Sequence, residues 1–82
     1  MPGLRERQKQ ARRQAIYRAA ARLFAENGYG ATTVEEIAGE AGVSVPTLYS
    51  YVSSKADLVV VAIYALDREL IDAEKQAIIN DP

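Results

Sequence analysis

The stretch Thr33-Val34-Glu35-Glu36-Ile37-Ala38-Gly39-Glu40-Ala41-Gly42-Val43-Ser44-Val45-Pro46-Thr47-Leu48-Tyr49-Ser50-Tyr51-Val52 decides how this chain folds. Thr33 with Glu36 three residues later is a capping-box pattern, in which each side chain takes up a backbone N–H that a helix start leaves unpaired. The helix it opens is short, because Gly42 interrupts it. Ala41-Gly42-Val43-Ser44 reads as a tight turn, with glycine at the position that needs a positive φ. Ser44 or Val45 then caps a second short helix. Pro46 falls in its first turn, where a missing N–H costs little. This helix is expected to end near Val52-Ser53. Two helices cross this tightly only over a small residue, and Ala38 supplies it. Ile37, Ala41, Val43 and Leu48 should form the apolar knot beneath the turn.

Working outward, the segment from about Lys9 to Asn27 reads as a first helix. Ile16, Ala19, Ala20, Leu23 and Phe24 recur at three- and four-residue steps and stripe one face. Basic residues at 12, 13, 18 and 22 lie on or beside the opposite face. Asn27-Gly28 stops the helix with a left-handed glycine, and Tyr29 can pack back over the last turn. On the other side, Ser54 with Asp57 starts a fourth helix that could run to about Ile79. Val59 to Tyr64 is apolar all round. Its β-branched residues would suit a buried strand, but Ser54-Lys55-Ala56-Asp57 is a helix start and Ala65 to Leu70 continues helical. Leu70, Ala73 and Ala77 extend a stripe that the first three helices are too short to cover, so the fourth helix is expected to pack on something outside this chain.

The fold class is therefore all-α: a three-helix helix-turn-helix (homeodomain-like) domain, plus a fourth helix leading toward a C-terminal domain absent from this chain. Residues 1–11 form a basic arm and residues 12–66 the domain, with its motif at about 33–52. Residues 67–82 continue the fourth helix toward a ligand-binding and dimerisation domain.

Composition narrows the function classes. The chain has 82 residues, 49% of them hydrophobic and 26% charged, as a single globular domain would. Cysteine and histidine are both missing, which removes thiolate nucleophiles, imidazole bases and the usual zinc sites together. No phosphate-binding loop or paired-carboxylate pocket is visible, so an enzyme is the least favoured class and no cofactor is expected. The charged start excludes a secretory signal, and Leu58 to Leu66 is far short of the about 20 residues that span a bilayer. A cytoplasmic protein without membrane contact fits. The net charge of −1 conceals an asymmetry. Residues 1–34 carry Arg5, Arg7, Lys9, Arg12, Arg13, Arg18 and Arg22 against Glu6 and Glu26, whereas residues 35–82 are strongly acidic.

In a helix-turn-helix the second helix lies in the DNA major groove while the first crosses the backbone. At about 1.5 Å per residue, a helix from Val45 to Val52 spans roughly 12 Å, close to the groove width. A different class, a helical protein-interaction module acting through the apolar stripe of the fourth helix, is the alternative.

The string Gly28 to Ala38, then Ala41-Gly42-Val43-Ser44, then Thr47 to Val52, then Ser54-Lys55-Ala56-Asp57-Leu58 resembles the N-terminal domain of TetR-family transcriptional regulators over residues 12 to 66. The resemblance implies a homodimeric regulator, most often a repressor, that leaves a palindromic operator when a small molecule binds a C-terminal helical domain. Which molecule is not legible. By resemblance, Thr33 contacts a phosphate. Ser44, Val45, Pro46, Thr47 and Ser50 face the groove, with Val45 and Pro46 offering apolar surface to a thymine methyl and the hydroxyls of Thr47 and Ser50 offering hydrogen bonds. Tyr49 and Tyr51 reach phosphates on the groove walls, and Lys55 binds a further phosphate. The arm residues Arg5, Arg7, Lys9, Arg12 and Arg13 are expected to be disordered off DNA and to add electrostatic help on it. The recognition helix carries no arginine, asparagine or glutamine, so its base preference should lean on thymine methyls, waters and DNA shape.

Overall fold

The computed structural model describes residues 3–64. Helix α1 spans Leu4–Asn27, α2 Val34–Ala41 and α3 Val45–Tyr49. A fourth helix, α4, begins at residue 55 and is helical through 64. No strand occurs among the described residues. The expected run of α4 to about Ile79, the stripe Leu70, Ala73 and Ala77, and the segment 67–82 lie outside them.

One side chain from each helix forms the centre of the core. Ile16 of α1, Ile37 of α2, Leu48 of α3 and Leu58 of α4 are each fully buried, and full burial of such a side chain stabilises by about 1.5–3 kcal/mol. Ala19, Ala20, Ala21, Leu23, Val34, Ala38, Val52 and Ala62 complete the cluster, with Phe24, Ala41 and Val43 among the residues packed against it. Ala38 is buried. On α4 the uninterrupted apolar run resolves into two faces. Leu58 and Ala62 are buried and Val59 and Val61 half-buried, while Val60, Ile63 and Tyr64 are exposed.

The turns follow from local chemistry. Thr33 caps α2 with both halves of the capping box formed. Gly42 adopts the left-handed conformation (φ 75°, ψ 28°), and the Val43 N–H donates to the Ala38 carbonyl at 3.0 Å, which closes off α2. Gly28 also has a positive φ, 83°, but its ψ of 161° is extended rather than left-handed helical. Its N–H still donates to the Phe24 carbonyl, and the Tyr29 ring packs on Phe24 at 5.5 Å between centroids. Thr32 is buried, and its hydroxyl is within donating distance of the carbonyls of Gly28 (2.8 Å) and Leu23 (3.1 Å). This tie between α1 and the loop has no sequence signature. At α4, the Asp57 N–H donates to Ser54 Oγ and the Asp57 carboxylate accepts from the Ser53 N–H, as the Ser54 and Asp57 spacing leads one to expect.

Two boundaries differ from expectation. Helix α1 starts at Leu4 rather than about Lys9, so the basic arm is not irregular chain but the exposed first turns of a long helix. The reason is composition: from Leu4 to Arg13 every residue is a strong helix former, and the first breaker met going backward is Gly3. Helix α3 has five residues instead of reaching Val52. There the Ser50 hydroxyl donates to the Thr47 carbonyl and the Tyr51 N–H to the Leu48 carbonyl. These tighter three-residue bonds turn the chain out of the helix.

Candidate nucleic-acid interface

The geometry of α3 begins at Ser44, its N-cap. Ser44 Oγ accepts the Thr47 N–H at 3.2 Å and donates its own hydrogen to Thr47 Oγ1 at 2.8 Å. Ser50 spends its hydroxyl hydrogen on the Thr47 carbonyl. Both serines therefore face outward as acceptors, whereas Thr47 Oγ1 accepts one bond and keeps a hydrogen to donate.

Not all the expected groove-facing residues are equally displayed. Pro46, Ser50 and Ser44 are exposed, but Val45 and Thr47 are half-buried, and Val45 packs against the core cluster. A five-residue helix with Leu48 pointing inward must turn Val45, one position short of a full turn away, partly toward the core. Tyr49 is 45% exposed, while Tyr51 is half-buried and packed on the core edge.

Three tertiary pairs join residues that sequence spacing did not connect. The Arg13 guanidinium of α1 lies 5.8 Å from the Tyr51 ring centroid. This brings Arg13 of α1 to the turn that follows α3. The Lys55 ammonium lies 4.3 Å from the Tyr29 ring centroid, with Tyr29 itself partly exposed. The third pair is Arg22 of α1 with Glu40 of α2, where Nε donates to Oε1 at 3.0 Å. Arg22 also donates to Glu26 one turn along, an i, i+4 pair. Hydrogen bonding to Glu40, then to Glu26, raises the Arg22 pKa above its ordinary value. Helix α2 has no basic residue in its last turn, so Arg22 brings a cation to its electronegative end from outside.

Thr33 is placed at the start of α2, as expected, but its hydroxyl is engaged. Thr33 Oγ1 accepts the Glu36 N–H at 3.1 Å and donates to Glu36 Oε1 at 3.0 Å. Arg5, Arg7, Lys9, Arg12 and Arg13 are exposed along α1. No helix among the described residues is long and apolar enough to cross a membrane.

The family model described as bacterial regulatory proteins, tetR family, matches residues 16–62, more than half of the chain. Among curated proteins, the chain is 37% identical over 67 residues to the HTH-type transcriptional activator FasR of Mycolicibacterium smegmatis, covering 82% of this chain and 31% of FasR. It is 36% identical over 72 residues to the HTH-type transcriptional regulator TcmR of Streptomyces glaucescens, covering 88% of this chain and 32% of TcmR. Similarity to the HTH-type transcriptional regulator HbdR of Aromatoleum sp. is 37% over 67 residues, or 82% of this chain and 28% of HbdR. The chain thus spans about a third of the length of these relatives. No solved structure matches it. Their names are those of transcriptional regulators rather than enzymes, and the matched residues coincide with the four-helix core. The chain belongs to the TetR family of bacterial regulatory proteins.

Proposed function

We propose that this chain is the DNA-reading head of a transcriptional regulator, with α3 and the turn after it seated in a major groove. The observation that carries the reading is the setting of α3. Its exposed residues Ser44, Pro46, Tyr49 and Ser50 are flanked by Arg13 beside Tyr51 and by Lys55 at the start of α4. In this reading Ser44, Pro46 and Ser50 meet base edges, while Tyr49, Tyr51, Arg13 and Lys55 meet the phosphates on either side. Val45 and Thr47 contribute the part of their surface that stays open. Thr33 and the exposed cations of α1 extend the contact along the backbone.

In this reading the whole regulator is a homodimer on a palindromic operator in the cytoplasm, associated with the nucleoid, and represses until a small-molecule effector binds its C-terminal domain. Two heads joined in this way gain an effective-concentration advantage that one head lacks. A promoter–reporter strain decides the sign of regulation, since activation is the activity in the name of FasR.

The test is selection of bound sequences from a randomised duplex library. Thr47→Ala should change the preference at one or two base pairs, whereas Tyr49→Phe and Lys55→Ala should weaken binding to every sequence alike. A library that yields no enriched sequence overturns the reading. A second reading, a protein-interaction module, rests on the exposed apolar side chains Val60, Ile63 and Tyr64 of α4; sedimentation showing a stable complex of two chains without DNA would favour it.

A further inference from the structure

Lys55 is the only basic residue between Val34 and Tyr64. The helix-turn-helix half of the domain thus has one cation of its own to offer a phosphate. Lys55 is half-buried and its ammonium lies 4.3 Å from the centroid of the Tyr29 ring. Tyr29 is in turn packed on Phe24 of α1, at 5.5 Å between ring centroids. The three residues form a continuous chain of contacts from α1 to a charge at the N-terminus of α4. A free lysine side chain loses about 2 kcal/mol of rotamer entropy when one geometry is imposed on it. A ring face that already holds the ammonium removes part of that cost before any anion arrives. The ring attracts the cation without neutralising it, unlike the carboxylates that engage Arg22. Lys55 therefore stays available to an anion while being held in place.

We propose that Tyr29 is a positioning residue for DNA binding, acting through Lys55 by holding its ammonium at the edge of the interface. The inference rests on the DNA-reading proposal above and adds to it a residue outside the motif helices. Tyr29 is 46% exposed and is not a member of the buried core cluster.

The test is a double-mutant cycle on the 82-residue chain, using a fluorescein-labelled duplex of mixed sequence at low salt, where phosphate contacts dominate. Tyr29→Leu should weaken binding by about two- to fivefold, the range of an exposed cation–ring contact. Tyr29→Phe, which keeps the ring, should bind like the unmodified chain. In a Lys55→Gln background, Tyr29→Leu should have no further effect. An equal loss in both backgrounds would show that Tyr29 acts only on the fold and would overturn the inference. So would failure of Tyr29→Phe to retain binding, which would transfer the role to the hydroxyl. If the unmodified chain binds but Lys55→Gln binds equally well, the inference fails while the DNA reading stands. If no variant and no unmodified chain binds the duplex, both fail.

Discussion

Glu36 and Thr33 are closed onto each other at the start of α2, the Glu36 carboxylate accepting from the Thr33 hydroxyl at 3.0 Å and from the Thr33 N–H at 3.2 Å. The anion attracted to the positive end of this helix is thus supplied by the helix itself. A DNA phosphate approaching Thr33 meets a carboxylate that already holds the donor it needs. Glu36→Gln keeps a capping oxygen and removes the charge. We expect it to strengthen duplex binding by about two- to fivefold at low salt, the worth of one surface charge. Fluorescence anisotropy measures this. Unchanged or weaker binding would place the backbone away from the α2 start.

Leu48→Ala should destabilise the domain by about 2–5 kcal/mol, because it empties the fully buried centre where all four helices meet. For a domain of this size that is a large fraction of a total stability of about 5–15 kcal/mol. Circular dichroism on urea titration reads the loss. A midpoint within error of the unmodified chain would contradict the burial of Leu48.

Gly39 and Gly42 should respond oppositely to alanine. Gly39 lies inside α2 with open space where a Cβ would sit, so Gly39→Ala should stabilise by about 0.8–1 kcal/mol. Gly42 has φ 75°, and Gly42→Ala should destabilise by roughly 1–2 kcal/mol through left-handed strain. Paired urea midpoints compare them directly. Shifts of the same sign would refute the assigned turn.

The glycine pair also marks how far sequence reasoning reaches. Thr33 with Glu36, Gly42, Ser44 and Pro46 act within a few residues of themselves, so their roles were legible from spacing alone. The apolar stripe Ile16, Ala19, Ala20 and Leu23 was legible because burial follows helical period. Lys55 with Tyr29, Arg13 with Tyr51 and Arg22 with Glu40 were not, because each joins residues far apart in the chain that only the packed helices bring together. The half-burial of Val45 and Thr47 was hidden for a related reason. It depends on how a five-residue helix is rotated against α1 and α2, and α3 is too short to carry a period of its own. Helix α1 starts well ahead of its apolar stripe, which begins at Ile16, because helix formation continues wherever no residue opposes it. That left Leu4 to Arg13 looking like a tail.

Glu40→Gln should lower thermal stability at low salt, and the deficit should shrink as salt is added, because Arg22 and Glu40 pair at an exposed site. Hydrogen bonds raise the folded-state pKa of Arg22, so its contribution is fully present below the ordinary arginine range and fades only above it. Salt, not pH, is therefore the variable that exposes this contact. Melting curves at two ionic strengths suffice; a deficit that does not depend on salt would assign the contact to hydrogen-bond geometry rather than to charge.

The salt dependence of duplex DNA binding tests the central claim most directly. With about three to five phosphates contacted per head, the logarithm of affinity should fall against the logarithm of salt concentration with a slope of about −3 to −4.5. Lys55→Gln should reduce the magnitude of that slope by about 1. A slope near zero, or no binding at any salt concentration, would contradict the assignment of α3 and its flanking residues as a DNA-reading surface.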